Sequence, residues 1–147
     1  MRYIPESLRE QVIHRAQNYC EYCGLSQIGQ EATFHIDHIF PLTAGGETSF
    51  ANLALACVSC SLRKGARQTA IDPKTNQTVP IFNPRSQNWF EHFAWDDVSV
   101  VGLTAIGRAT LTLLVMNRPT ILAIRQEQKF FQRHPQPQTL DEVADGA

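Results

Sequence analysis

Cys20-Glu21-Tyr22-Cys23 and Cys57-Val58-Ser59-Cys60 are the two stretches that decide the fold of this chain. Each is a Cys-x-x-Cys pair, and 33 residues separate one pair from the other. The chain has four cysteines, so these two pairs account for all of them. A Cys-x-x-Cys turn points two sulfurs at one centre, and two such turns supply the ligands of a tetrahedral Zn²⁺ site. The spacing therefore predicts a structural zinc that clamps the two ends of the intervening segment together.

Two other interpretations of the cysteines stay open. The four thiols can be unrelated buried side chains, because free cysteine packs as a small hydrophobe, although the repeated spacing argues against this. Four thiolates can also hold iron in a rubredoxin-like site, although no other motif indicates electron transfer.

The chain carries no pattern typical of export or of a membrane. Residues 1–6 contain no apolar signal segment, so a cytoplasmic, reducing location is expected and disulfides are disfavoured. The longest apolar stretch, residues 98–116, is interrupted by arginine, glycine and threonine, so no membrane span is expected. The sequence therefore predicts metal-bound thiolates rather than disulfides.

Charge is distributed unevenly along the chain. The net charge of −1 over 147 residues argues against nucleic-acid binding by bulk electrostatics. However, Arg63, Lys64 and Arg67 follow the second cysteine pair with no acid among them, and residues 101–134 hold five cations against one glutamate. A protein with a net charge near zero can therefore still have a positively charged surface.

Hydrophobic periodicity predicts a mixed α+β fold. Helices are predicted at residues 6–18, 61–68, 104–116 and 119–132, and strands at 34–40, 52–56, 78–82 and 98–103. The strands at 34–40 and 52–56 are expected to pair antiparallel across a loop at 43–48. The segment between the cysteine pairs thus contains strand, loop and strand, and the second pair leads directly into a helix.

His35-Ile36-Asp37-His38, inside the first of these strands, contains the side chains that indicate chemistry. Side chains alternate along a strand, so His35 and Asp37 are expected on one face and His38 on the other. Asp37 offers a hard oxygen ligand for a cation, and a histidine such as His38 can take a proton from water. Alone this pattern is weak, because a histidine in a short apolar strand is more often a core residue.

The complete set of motifs closely resembles the HNH endonuclease family in its zinc-stapled, four-cysteine form. The resemblance spans residues 19–66 and rests on the cysteine pairs, on 35–42, on Gly45-Gly46, on 52–55 and on the run Ser61 to Gly65. It implies a ββα-metal core that cleaves nucleic acid, with double-stranded DNA as the expected substrate. It also implies Mg²⁺ or another divalent cation as a catalytic cofactor beside the structural zinc.

The resemblance suggests three parts of the chain. Residues 1–70 are expected to form the HNH nuclease core with its zinc site, preceded by an N-terminal helix within the same range. Residues 71–133 are expected to form a largely helical extension packed on that core. Residues 134–147, with two prolines and three acids, are expected to be a disordered tail.

The resemblance also implies roles for individual residues. His38 corresponds to the general base that deprotonates the attacking water, and Asp37 to a ligand of the catalytic cation. Asn52 corresponds to the residue that steadies the loop between the strands and helps to orient the histidine. The cations expected to hold phosphates are Arg63, Lys64 and Arg67.

One position departs from the family pattern. The third motif residue, usually a histidine or asparagine that binds the metal, is Ser61. A serine hydroxyl is a weaker ligand, so a water bridges it to the metal, another residue supplies the ligand, or catalysis is impaired. His92 is a candidate substitute, although a packed histidine is favoured within its aromatic cluster. His35 is a second accessory candidate.

Three functions follow, and specific residues discriminate among them. The leading hypothesis is a metal-dependent DNA endonuclease, and the alternative is a catalytically impaired, zinc-stapled nucleic-acid-binding domain. A zinc scaffold for protein interaction is the third, and it would not need Asp37, His38 and Asn52.

Two other groups of residues each have two interpretations. The aromatic cluster at 89–95 either stacks bases or, as is favoured, extends the core. The cations of 101–134 either track a nucleic-acid backbone or form a solvated helix face. Oligomeric state and cleavage specificity are not predicted.

Overall fold

The computed structural model describes residues 3–137, which form an α+β fold of short helices and antiparallel hairpins. The helices are α1 (Glu6–Arg15), α2 (Val58–Lys64), α3 (Trp89–His92), α4 (Ala105–Leu113) and α5 (Pro119–Phe130). The strands are β1 (His35–His38), β2 (Leu53–Ala56), β3 (Thr69–Ile71), β4 (Thr78–Pro80), β5 (Phe93–Asp96) and β6 (Ser99–Gly102). The predicted α+β class is confirmed.

The central unit of the fold is the hairpin of β1 and β2 followed by α2. The two strands pair antiparallel, with His35 opposite Ala56 and His38 opposite Leu53, as predicted. All four residues of β2 are buried, and α2 contacts both strands. The order strand, loop, strand, cysteine turn, helix is therefore confirmed. Each Cys-x-x-Cys turn, Cys20–Cys23 or Cys57–Cys60, is called a knuckle below.

The bounds of all four predicted helices differ from the prediction, and for α1 and α2 the cause is local backbone geometry. Helix α1 ends at Arg15 rather than residue 18, since Gln17 and Asn18 adopt left-handed φ angles of 53° and 65°. Helix α2 begins at Val58 rather than residue 61, because the Cys57 thiol accepts a hydrogen bond from the Cys60 N–H and caps the helix. It ends at Lys64, before a glycine with φ of 51°.

Two further hairpins each contain one strand that the sequence did not predict, β3 in the first and β5 in the second. Strand β3 pairs with β4, and β5 pairs with β6. Strand β3 lies where the predicted helix 61–68 was expected to end, and β5 runs through the aromatic cluster. Only three or four residues form each strand, so their periodicity is too short to distinguish from that of neighbouring helix or loop.

One hydrophobic core joins the two predicted parts of the chain. The buried cluster contains residues from before position 70, including Tyr22 and Leu55, and residues from after it, including Phe82, Phe93 and Ile121. The zinc-ligand candidates belong to the same cluster. Between residues 3 and 137, no helix has the length and apolarity that crossing a bilayer requires.

The beginning of the predicted tail contacts the fold. A ring nitrogen of His134 lies 2.9 Å from the Asp97 carbonyl oxygen, and the Trp95 indole N–H donates to the side chain of Gln136. The remainder of that predicted tail, residues 138–147, lies outside the described residues.

Candidate active site and metal centre

The four cysteines meet in the core. All four side chains are buried, none forms a disulfide, and their sulfurs lie within 4.8 Å of one another. The Sγ atoms of Cys23 and Cys57 are 3.7 Å apart. A tetrahedral Zn²⁺ with bonds of about 2.3 Å sets its sulfurs about 3.8 Å apart. The cluster therefore has the size and donor chemistry that fit zinc, and the four unrelated thiols that remained possible from sequence are excluded.

Backbone N–H groups support the same centre. Within each knuckle the N–H of the second cysteine points at the sulfur of the first, at 3.4 Å for Cys23 to Cys20 and for Cys60 to Cys57. Hydrogen bonds of this kind favour the thiolate that a metal requires. Zinc held by these residues would join the turn after α1 to the N-terminus of α2.

The thiols differ in acidity. Burial raises the pKa of Cys20 well above its ordinary value. Hydrogen bonds from the other three thiols, together with the Arg125 guanidinium, hold the pKa of Cys23 well below its ordinary value. Hydrogen bonding to Cys20 and the other thiols raises the pKa of Cys60. A metal would therefore displace protons from Cys20 and Cys60 on binding.

Asp37 is buried and fully engaged by protein groups. Its Oδ2 accepts a hydrogen bond from the Tyr22 hydroxyl at 2.7 Å. The ammonium group of Lys64 lies 3.2 Å from Oδ2 and 3.4 Å from Oδ1. Burial raises the pKa of Asp37, and the charge of Lys64 and the Tyr22 hydrogen bond oppose that rise. The same carboxylate and burial raise the pKa of Tyr22 well above its ordinary value.

Lys64 points inward rather than towards solvent. It is 2% exposed, and besides Asp37 its ammonium donates to the carbonyl oxygens of His38 at 3.1 Å and Ile39 at 3.2 Å. These contacts tie the end of α2 to the end of β1. The exposed cations near this end of α2 are Arg63 and Arg67.

His35 and Ser61 form the second pair between β1 and α2. The His35 Nδ1 and the Ser61 Oγ lie 2.9 Å apart, and both side chains are half-buried. Since His35 and Asp37 both face α2, the predicted alternation along β1 is confirmed. The hydroxyl of Ser61 is therefore occupied by an imidazole from the same sheet face as Asp37.

His38 lies on the opposite face of β1. Its Nε2 is 2.9 Å from the Thr48 hydroxyl oxygen, and its ring is half-buried. A histidine in this position, next to a hydroxyl and partly open to solvent, can accept a proton from water.

Asn52 holds the loop that follows His38. Its Oδ1 accepts from the Phe40 N–H at 2.9 Å, and its Nδ2 donates to the carbonyl oxygens of Phe40 at 3.0 Å and Glu47 at 2.8 Å. Gly46 allows the loop to close, because a Cβ there would lie 1.8 Å from the Phe40 oxygen. One amide thus joins Phe40 to Glu47, the residue that precedes Thr48.

The side chains predicted to bind a catalytic cation are not assembled as a ligand set. Both oxygens of Asp37 contact Lys64, one of them also accepts from Tyr22, and Ser61 contacts His35. Within residues 3–137, the cysteine cluster is the sole group of three or more His, Cys, Asp or Glu side chains close enough to hold a metal. In this arrangement the cysteine cluster fits a structural zinc, whereas Asp37 and Ser61 are each held by protein partners.

The other predicted accessory, His92, is bound elsewhere. Its Nδ1 lies 2.7 Å from the Thr104 hydroxyl, and its ring packs edge-on against Phe82. Thr104 in turn caps α4 by accepting from the Gly107 N–H. The favoured interpretation of a packed histidine therefore agrees with the structure, although its partner is a hydroxyl.

The aromatic cluster mainly extends the core, as favoured from sequence. Trp89 stacks on Phe93 and Trp95, with ring centres 4.9 and 5.2 Å away. Trp89 and Phe93 are buried, and the Trp89 indole donates to the Tyr22 carbonyl oxygen at 2.8 Å. Phe90, in contrast, is 41% exposed.

Three of the five cations of 101–134 are paired with an acid or buried. Arg108 pairs with the buried Asp72, and Lys129 pairs with Asp97. Arg125 is completely buried. Several of these charges therefore serve internal contacts between elements.

Residues 20–67 match the family model of the HNH endonucleases. The matched segment begins at the first cysteine of the cluster and includes β1, β2 and α2. The resemblance inferred from the motifs is confirmed, and an HNH domain implies a nuclease-type function in general. Comparison with curated proteins and with solved structures finds no significant match.

Sequence reasoning missed two partners of Asp37. Tyr22 lies between the cysteines of the first knuckle. Hydrophobic periodicity does not extend into such a turn, so it could not predict that this side chain is buried. Lys64 was expected to contact phosphate, because a lysine near a helix end is usually solvated. The spacing of Ser61 and Lys64, three residues apart on α2, was the available signal that both face β1.

Proposed function

We propose that this protein is a metal-dependent endonuclease that hydrolyses phosphodiester bonds in double-stranded DNA. The observation that carries the proposal is His38, placed within the HNH segment at the end of β1 with its ring against Thr48 and partly open to solvent. The adjoining loop is fixed by Asn52. These are the positions that the HNH pattern uses for a base and its support.

In this proposal His38 accepts the proton of the attacking water. Histidine is the side chain that most often serves as a general base in such a step. Asn52 acts as a positioning residue, because its three hydrogen bonds hold the loop against which His38 rests. Arg63 and Arg67, both exposed, are proposed to hold DNA phosphates beside α2.

Asp37 is proposed as the carboxylate that holds Mg²⁺ or another divalent cation. Such an ion stabilises negative charge on phosphate oxygens. Lys64 would have to release Asp37 for this binding, because its ammonium contacts both carboxylate oxygens. The cation requirement is therefore open to a direct test.

The test is cleavage of supercoiled plasmid by wild type and His38→Ala with Mg²⁺, Mn²⁺ or Ni²⁺. We expect wild type to nick or linearise the plasmid and His38→Ala to lose at least about 99% of that rate, since a general base contributes about 10² to 10⁴-fold. Bound zinc and thermal unfolding of both proteins serve as the control for folding. Equal cleavage by both proteins would contradict the role of His38.

The Asp37–Lys64 ion pair favours a second candidate, a zinc-stapled domain that binds nucleic acid without cutting it. A carboxylate that is neutralised by an internal lysine suits a site that has lost catalysis. This candidate predicts salt-sensitive DNA binding, dependent on Arg63 and Arg67, with no cleavage under any metal. Binding without turnover would replace the first proposal with this one.

A further inference from the structure

Arg125, on α5, is a buried cation without a carboxylate partner. The residue is 0% exposed, and none of the salt bridges found within residues 3–137 involves it. Its Nε atom is buried and has no hydrogen-bond partner among residues 3–137. A buried charge without compensation costs several kcal/mol, so a negative group must lie near it.

The side chain is directed at the first cysteine knuckle. One terminal nitrogen donates to the Cys23 carbonyl oxygen at 3.2 Å. The other donates to the Val98 carbonyl oxygen at 2.9 Å and lies 3.5 Å from the Asn117 side-chain oxygen. The guanidinium carbon lies 5.0 Å from the centre of the Trp95 ring. All of these partners are neutral.

The thiols of the cluster are the negative groups that can compensate Arg125. The hydrogen bond to the Cys23 carbonyl oxygen places the Arg125 guanidinium beside the cluster, whose four sulfurs lie within 4.8 Å of one another. Four thiolates around a divalent metal carry a net charge of about −2. The loaded centre would therefore balance a cation for which the described fold offers no carboxylate.

We propose that Arg125 is the counter-charge of the metal-loaded four-cysteine centre, so that metal binding and the docking of α5 stabilise each other. Arg125 is thus a positioning residue for the metal and touches none of the reacting atoms. The coupling must be reciprocal: whatever α5 adds to metal affinity, the metal adds to the stability of α5. The proposal does not depend on nuclease activity.

A neighbouring residue offers a matched control. Gln128, one turn later on α5, is 3% exposed and forms neutral hydrogen bonds to the chain just after the same knuckle. It accepts from the Ser26 N–H at 3.2 Å and donates to the Ser26 carbonyl oxygen at 3.0 Å. Gln128→Leu removes a contact between α5 and the knuckle without changing charge.

The experiment measures Zn²⁺ affinity by competition with a chromophoric chelator. The proteins are wild type, Arg125→Met, Arg125→Gln, Arg125→Lys and Gln128→Leu. We expect Arg125→Met and Arg125→Gln to weaken zinc binding about 10 to 100-fold, as loss of a residue that supports metal ligands usually does. Arg125→Lys keeps the charge and should recover most of that loss, whereas Gln128→Leu should change affinity by less than about threefold.

Thermal unfolding with and without metal provides the second readout. Arg125→Met should lower the midpoint of the zinc-loaded protein but not of the metal-free protein, because it also removes an uncompensated charge. Gln128→Leu should lower both midpoints alike. The proposal fails if Arg125→Met and Arg125→Gln bind zinc as tightly as Gln128→Leu does. If Arg125→Met does not fold, the comparison of Arg125→Gln with Arg125→Lys decides. Tighter zinc binding and a higher midpoint in Arg125→Lys support the proposal, and equal values in the two variants contradict it.

Discussion

The Tyr22 hydroxyl donates a 2.7 Å hydrogen bond to Asp37, and this contact joins the zinc knuckle to the strand that carries the proposed active site. Tyr22 lies between Cys20 and Cys23, so its backbone position is set by the same turn that presents the two thiols. Both side chains are buried. The hydrogen bond therefore links the first cysteine pair directly to the carboxylate of β1 inside the core.

We expect Lys64→Met to lower the free energy of unfolding at pH 7 by about 3–5 kcal/mol, because it leaves the buried Asp37 without its cation. The measurement is urea unfolding. Arg63→Met is the matched control: its side chain is exposed, and its substitution should cost less than about 0.5 kcal/mol. Equal losses in the two variants would contradict the importance of the ion pair.

The pH dependence of the same variants tests the carboxylate itself. Burial raises the pKa of Asp37 in the folded protein above its unfolded value of about 4. Between these two values the folded state binds more protons, so the contribution of Asp37 to stability decreases as the pH rises. In Lys64→Met the folded pKa should be higher still, and the decrease should extend to higher pH. A profile parallel to that of wild type would contradict this expectation.

We expect Cys57→Ser to lose stoichiometric zinc and to have a thermal midpoint far below that of wild type. Zinc adds its binding free energy to the stability of the folded state, whereas the hydrophobic core around the cluster is retained in the metal-free protein. The measurements are metal content and circular dichroism. Ser59→Ala, within the same knuckle, should keep both zinc and fold, and loss of zinc there would indicate that the turn rather than the thiol is critical.

We expect Ser61→Asn to increase plasmid cleavage at least about tenfold, corresponding to about 1.4 kcal/mol in the barrier. An amide oxygen is a better cation ligand than a hydroxyl and can still hydrogen-bond to His35. The rate is measured with each divalent metal. Ser61→Ala, which removes both the ligand and the contact with His35, should not exceed wild type, and a gain in that variant would point to the freed imidazole instead.

We expect Phe93→Ala to lower the free energy of unfolding by about 3–5 kcal/mol, because Phe93 is completely buried against Trp89 and Phe82. Phe90→Ala removes the exposed ring of the same cluster and should cost far less. Binding of single-stranded DNA by the two variants addresses base stacking. A stable Phe93→Ala protein with weakened DNA binding would contradict the role of this ring in the core.

Much of the central unit could be predicted, because its determinants leave recognisable patterns in the sequence. The repeated cysteine spacing predicted the cluster, and alternation along β1 predicted that His38 and Asp37 lie on opposite faces. The antiparallel pairing of β1 with β2 followed from two short apolar runs separated by a glycine-containing loop. Each pattern is visible even where, as for the two cysteine pairs, 33 residues separate the partners.

The partners of the charged side chains could not be predicted, because they depend on contacts distant in sequence. Lys64 is 27 residues from Asp37, and Arg108 is 36 residues from Asp72. A single sequence indicates that a lysine or arginine is charged, but burial is decided by how helices pack. For the same reason Arg125 was grouped with surface cations although it lies in the core.

The contacts between α5 and the knuckle also constrain the order of events during synthesis. Cys23 and Ser26 each lie 102 residues from their partners on α5. Arg125 leaves the ribosome 65 residues after Cys60, about 3 to 13 seconds later at ordinary elongation rates. During that interval the nascent chain possesses all four thiols but lacks the helix that covers them. The contacts of Arg125 with Cys23 and of Gln128 with Ser26 can therefore form only after the four thiols have all left the ribosome.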